Sequence, residues 1–337
     1  MKNIKQTTSY LYTENQYFRF PPLVREFITH WEKLKKGGRA EGPIHWFTVT
    51  NSSDSGIGVG TYTTDEMFKL LGRQDVMPGV ARAVKRQELE VELGKCNVNR
   101  AILYNQKTTS PTAEGRAAAE TAYQANEQEI KRIEKEITDI DAKQREAEKK
   151  QKNSQNNENT SQSNSIENQA LSQEEANLTK ALGYEMSDTP GIKAHICTLM
   201  PKDEHGKYVH SYKDNKGKDV LAEVYVHSKV TIMDDVFTVI SSANLNTRSM
   251  QVDTELGIIM ECGEVAEGLR KRLWDLHTNK NASANPDDMH DYAVAVKAFD
   301  VWGKLIEANK RSQKDGNSPE CALREFYRAD PTVSRSD

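Results

Sequence analysis

The amino-acid sequence predicts an α/β fold: a sandwich of one mixed, mostly parallel sheet with helices on both faces, interrupted by an insertion. Three observations predict it. Short β-branched and apolar runs alternate with stretches of helical spacing near both ends of the chain. Residues 105–180 break that alternation, being first highly charged and then polar. The 337 residues suffice for a sizeable core, yet only 36% are hydrophobic and mean hydropathy is −0.76, so a large segment is solvated.

Taken in order, Ser9 to Phe18 reads as a strand stopped by Pro21-Pro22. Leu23 to Leu34 has helical spacing, with Val24, Phe27, Ile28 and Trp31 on one face. Lys35-Lys36-Gly37-Gly38 ends it. Ile44 to Thr50 is a strand, and His45 within it reads as packed rather than catalytic. Asn51 to Gly60 is a Ser/Gly/Asp loop of the kind that carries ligand contacts in open sheets. Thr64 to Leu71 and Val80 to Leu93 are helical, and 1–104 forms the first part of the domain.

In 105–180, Tyr123, Ile130 and Ile137 fall seven apart, as do Asn126, Ile133 and Ile140. That seam fits an antiparallel helical arm or weak coiled coil, or else a lone solvated helix. From Gln151 to Ala170, 14 of 20 residues are Asn, Gln or Ser, a composition expected to be disordered. The domain resumes over 181–337. Ile192 to Met200 is a strand, and Lys202 to Lys218 a charged hairpin or loop. Val220 to Met233 is a strand, Asp234-Asp235 a turn, and Val236 to Ile240 a second apolar run. Leu256 to Glu261 is another strand. Val265 to Leu276 and Tyr292 to Ala308 are amphipathic helices, the latter burying Ala295, Phe299, Trp302 and Ile306. The tail from Tyr327 is polar and expected to be loose.

Composition excludes several classes. A net charge of −4 gives no basic excess for nucleic acid. Cys96, Cys197, Cys262 and Cys321 have no CxxC spacing, so neither a zinc site nor a disulfide framework is expected. No run of 18 apolar residues could span a membrane, and the opening residues contain no apolar signal segment.

Chemistry concentrates in Val220 to Glu255. His227 and Lys229 are two apart, so a strand would present both on one face. The imidazole can attack phosphorus or pass a proton, and the ammonium can hold non-bridging oxygens. Ser242 and Asn244, again two apart, add neutral donors for those oxygens. Glu255 can accept a proton from a histidine's second nitrogen and fix its tautomer. The set handles a phosphodiester and calls for no metal or cofactor.

The spacing His227-x-Lys229-x4-Asp234-x6-Ser241-Ser242-x-Asn244 resembles the HxKxxxxD signature of the phospholipase D superfamily. Glu14-Asn15-Gln16-Tyr17-Phe18 resembles the ENQYF segment lying between that family's two catalytic motifs. The likeness covers about 8–104 and 190–337, with Ser241 standing where the family has glycine. It implies His227, Lys229, Asp234 and Glu255 as catalytic residues, with Asp234 expected to be structural, holding the turn or an adjacent polar group, rather than a proton donor, and Lys229, Ser242 and Asn244 as phosphate-binding ones. It also implies a phosphodiesterase that cleaves membrane glycerophospholipids to phosphatidate and a free head group. The wording resembles bacterial phospholipase D effectors, which implies a protein cytoplasmic in the producing cell and exported by type VI secretion.

The family's chemistry takes two facing HxK motifs, one histidine as nucleophile and one as acid. Here only His227 is followed by lysine two residues on. The expectation is therefore the C-terminal half of a two-motif enzyme, with His227 as general acid, completed by a partner fragment or a second copy. The alternatives are a homodimeric single-motif phosphodiesterase or nuclease, and a catalytically incomplete product that only binds lipid or a partner.

Overall fold

Seven strands pair in the order β8-β7-β6-β1-β2-β3-β9 in the computed structural model of the chain. It describes residues 3–52, 60–156, 186–215, 217, 219–328 and 330–335. Two compact units emerge, Met1–Met77 with Glu185–Asp337, and Pro78–Tyr184.

In the first unit, β1 (Tyr10–Asn15) leads into α1 (Pro21–Lys36) and β2 (Ile44–Val49), which pairs parallel with β1. Pro21 and Pro22 open α1 instead of merely stopping the strand, because the first helical N–H groups need no intrahelical acceptor. Next come α2 (Thr61–Leu70) and, after the second unit, β3 (Ile192–Leu199), parallel to β2. A short hairpin, β4 (Ser211–Lys213) and β5 (Asp219–Leu221), precedes β6 (Lys229–Met233) and β7 (Phe237–Ser241). Then follow α5 (Thr247–Gln251), β8 (Gly257–Met260), α6 (Gly263–His277), α7 (Tyr292–Lys314) and β9 (Leu323–Glu325).

The sheet is mixed, but the expectation of a mostly parallel one is corrected. Only β1–β2 and β2–β3 run parallel, and the other four pairings are antiparallel. The reason lies in the connections. β6 and β7 are joined by a tight turn, which forces antiparallel pairing, whereas β1 and β2 are joined through a helix. In that turn Asp234 and Asp235 both have positive φ, 49° and 54°, and the N–H of Val236 closes it onto the carbonyl of Met233.

Helices cover both faces. On one, Phe27 of α1 packs against Trp46. On the other, Trp274 of α6 and Trp302 of α7 pack against Phe47, and Trp274 against Tyr10 and Tyr12. The edge beyond α6 is bare: Leu256, Ile258 and Ile259 are 83%, 64% and 62% exposed. The tail expected to be loose is docked, since the carbonyls of Thr332 and Ser334 accept from Thr61 and Tyr62 at the start of α2.

The second unit holds α3 (Pro78–Thr109) and α4 (Ala113–Asn156), an antiparallel pair. Leu89, Leu93 and Cys96 pack against Ile133, Ile137 and Ile140. Asn99 pairs with Asn126 inside this seam. Residue 104, the expected edge of the insertion, falls within α3. Of the Gln151–Ala170 segment, 151–156 ends α4 and the rest lies outside the described residues, as do 53–59 of the Asn51–Gly60 loop.

Candidate active site

Three consecutive residues at the end of β1 organise the site. Glu14 and Tyr12 point towards α6, where Glu14 Oε2 meets Tyr12 OH at 2.6 Å and His277 Nε2 at 3.0 Å. Its other oxygen accepts from the hydroxyl of Ser228, the residue between His227 and Lys229. Burial pushes the Glu14 carboxyl up, but His277, Ser228 and Tyr12 outweigh burial and hold it at about 2. Asn15 Oδ1 accepts the N–H of Leu245 at 3.1 Å, and its amide donates to the carbonyl of Ala243, clamping the loop that carries Asn244. Gln16 reaches Lys229 and Tyr225.

Lys229 opens β6 and is buried, 9% exposed. Its ammonium donates to the carbonyl of His227 at 2.7 Å and to Gln16 Oε1 at 3.3 Å. Burial lowers its pKa, and the charge of Glu255 opposes that. The expected unbroken strand from Val220 to Met233 is corrected: 222–228 makes no ladder, because Asn51 takes the N–H and C=O of Val226 at 2.8 and 2.9 Å. His227 therefore stands on an extended segment just before β6. Its exposed ring stacks on Tyr225 at 6.2 Å and 15°.

Ser242 donates to Glu255 at 2.5 Å and accepts the N–H of Leu256 at 3.0 Å. Hydrogen bonds from Ser242 and then Ser249 hold the Glu255 carboxyl below its ordinary value. Glu255 was expected to orient a histidine ring. Among the described residues its hydrogen bonds go to serines instead, and the carboxylate that holds an imidazole is Glu14. Asn244 Oδ1 is buried without a hydrogen-bond partner among the described residues, a polar atom left open in the site.

Asp234 does not join this group. It lies at the opposite end of β6 from Lys229, about 16 Å along a strand. Its carboxylate accepts from the N–H groups of Thr8 at 2.6 Å, Ser9 at 2.9 Å and Tyr10 at 2.8 Å, and from the Thr8 hydroxyl at 3.0 Å. Asp234 thus anchors the start of β1. Next to it, Asp235 is bound through both oxygens by the fully buried Arg270, at 2.7 and 2.9 Å.

Ser241, standing where the resemblance implies glycine, closes β7. Its neighbour across the ladder is Gly257, and a Cβ added there would stand 2.7 Å from the Ser241 Cβ. The space is shared by moving the glycine to the adjacent strand.

No second imidazole pairs with His227 among the described residues. His277 is buried against Glu14, His30 bonds the carbonyl of Thr7, His195 that of Phe299, and His210 the Ser312 hydroxyl. His45 is packed between Tyr292 and Phe299 and lowered to about 4 by burial. Glu14, Asn15, Gln16, Asn51 and Ser228 act in the site without having been singled out as site residues. The signal available for the first three was the ENQYF segment itself.

The exposed His227 imidazole thus lies two residues from the buried Lys229 ammonium, and the hydroxyl of Ser242 and the amide of Asn244 follow the end of β7. No group of three or more His, Cys, Asp or Glu able to hold a metal occurs among the described residues. Residues 188–276, which include this cluster except for the β1 segment, Gln16, Asn51 and His277, match the family described as cardiolipin synthase, PLD-like domain. The chain is 27% identical over 157 residues to phospholipase D C of Dictyostelium discoideum, covering 39% of this chain and 10% of that protein. It is 31% identical over 145 residues to phospholipase D zeta 1 of Arabidopsis thaliana, covering 38% and 13%. It is 32% identical over 111 residues to phospholipase D2 of Bos taurus, covering 28% and 12%. The matched part spans only about a tenth of these relatives' length. Together the likenesses support the phospholipase D superfamily.

Proposed function

We propose that this chain is a phospholipase D-type phosphodiesterase acting on glycerophospholipids. The observation that carries the reading is the buried Lys229 ammonium, bonded to the main-chain carbonyl of His227 whose ring is exposed two residues before it, inside the segment that matches a PLD-like domain. In the reaction, one imidazole nitrogen attacks phosphorus, a P–N bond forms, and the bond to the head-group oxygen breaks. A second imidazole gives that oxygen its proton. Water then attacks the phosphohistidine and gives its proton to the second imidazole, which lost its own in the first step; the P–N bond breaks and phosphatidate leaves. Lys229 neutralises charge on the non-bridging oxygens throughout.

One imidazole cannot stand on both sides of phosphorus. His227 serves as general acid if a partner fragment supplies the nucleophile, and takes either part in a symmetric dimer. The bare edge at Leu256, Ile258 and Ile259, beginning one residue after Glu255, supports a protein partner beside the site. Among the described residues no helix is long and apolar enough to cross a membrane. Export by type VI secretion remains part of the reading on the resemblance of the sequence alone.

The test is phosphatidate release from phosphatidylcholine vesicles by the chain, alone and with candidate partner fragments. His227→Asn and Lys229→Met should each lower the rate at least 10²-fold with the fold intact. Equal rates in wild type and His227→Asn would overturn the assignment.

A further inference from the structure

We propose that Gln16 is a positioning residue that fixes the His227 imidazole and the Lys229 ammonium relative to one another, holding Tyr225 with one end of its amide and Lys229 with the other. The inference rests on the phosphodiesterase reading above and assigns the part of the frame that aims the two groups.

The amide orientation is dictated by its neighbours. An ammonium only donates, so the oxygen of Gln16 faces Lys229 Nζ, at 3.3 Å. The nitrogen then faces the Tyr225 hydroxyl, to which it donates at 2.6 Å. That phenol has no other hydrogen-bond partner among the described residues, and the His227 ring has none. The order of the imidazole is thus passed on through the near-parallel stack on Tyr225, at 6.2 Å and 15°. Tyr225 is half-exposed on the unpaired segment between β5 and β6, where the strand ladder does not hold it.

Gln16 is itself held. It is buried, and its carbonyl accepts from Thr50 Oγ1 at 3.3 Å and Asn51 Nδ2 at 3.1 Å. Asn51 also takes both main-chain groups of Val226, the residue between Tyr225 and His227. Gln16, Asn51, Val226, Tyr225 and Lys229 therefore form one hydrogen-bonded frame. A primary amide suits the task because it donates at one end and accepts at the other. Leucine fills a similar volume and does neither. Misplacing a reacting group by about 1 Å costs about 10²-fold in rate.

The test uses the full chain with histidine labelled at Cε1 by carbon-13, the His227 signal being assigned by its loss in His227→Asn. Stacking on Tyr225 gives that signal a ring-current shift, and Tyr225→Ala marks the unstacked position. The expected result is that Gln16→Leu moves the His227 signal towards that position while the other histidine signals stay. Tyr225→Phe, which keeps the ring and loses only the hydroxyl, moves it the same way. The double variant moves it no further than Gln16→Leu alone. In the active assembly, Gln16→Leu lowers kcat about 10²-fold with little change in KM.

A His227 signal unmoved in Gln16→Leu, or additive shifts in the double variant, overturns the proposal. Should Gln16→Leu unfold the chain, Tyr225→Phe decides, because it leaves the core untouched. Should no assembly of the wild type turn over phosphodiesters, the functional reading fails, while the spectra still decide whether Gln16 makes the tie.

Discussion

Glu14 Oε2 lies 3.0 Å from His277 Nε2, and the same carboxylate holds Ser228 in place between His227 and Lys229. The reactive segment is thus tied to the buried side of the sheet by an ionised carboxylate. Its pKa falls from 4.5 to about 2 on folding. A depressed carboxyl contributes stability that is present above the unfolded value and is lost as pH falls through the folded one. The contribution is on the order of 3 kcal/mol, lost between about pH 4.5 and 2. In Glu14→Gln that window closes: its unfolding temperature is lower at pH 7 and varies less between pH 5 and 2.5. Equal acid sensitivity in both proteins would contradict the assignment.

Glu255 raises the pKa of Lys229 against the lowering effect of burial. Removing its charge in Glu255→Gln therefore lowers the ammonium pKa further. The alkaline limb of the pH–rate profile should move to lower pH, and the nitrogen-15 titration of the Lys229 side chain should move with it. An unmoved titration would mean that the two charges do not act on each other.

For Asp234, the geometry separates stability from chemistry. Three main-chain N–H groups and one hydroxyl depend on its carboxylate. Asp234→Asn turns a donor towards those donors and should cost about 3 kcal/mol. The folded fraction should keep its turnover, because the residue sits a strand's length from Lys229. A normal unfolding curve with lost activity would instead return Asp234 to the chemistry.

Ser241 and Gly257 should behave as a pair. Gly257→Ala brings a Cβ to 2.7 Å from that of Ser241. It should destabilise by about 1–3 kcal/mol. Adding Ser241→Gly should restore most of that, and Ser241→Gly alone should be mild. Denaturant midpoints of the four proteins give the coupling directly, and additive changes would dismiss the shared-space account.

The sheet and the amphipathic helices were legible because burial imposes their periods on the residues. Phe27, Trp31, Phe299 and Trp302 announce their faces by spacing alone. Strand direction was less legible. It follows from the tight turn at Asp234-Asp235 and from where β6 docks, and the docking is a long-range pairing with no local signature. The sequence marked candidate reactive residues but not the groups packed around them. His227, Lys229, Ser242 and Glu255 share one short segment, and residue type betrays their chemistry. Gln16 and Asn51 act across more than 170 positions of chain, through single amides that look in sequence like any other polar residue. Asp234 shares the motif spacing with His227, while its place in the turn was already the sign of a structural part; the length of β6 sets it at the other end of that strand from Lys229.

On the proposed reading, His227 turns over a phosphodiester only with a second imidazole from outside this chain. The most direct measurement is phosphatidate release by the assembly that supports turnover, with the wild-type chain diluted by His227→Asn chain at constant total concentration. If two copies share the site, activity per wild-type chain falls as the variant is added. If a separate fragment supplies the second imidazole, activity appears only with that fragment and scales with the wild-type fraction. Full activity per chain at concentrations where light scattering shows only monomer, with no fragment added, would contradict the account.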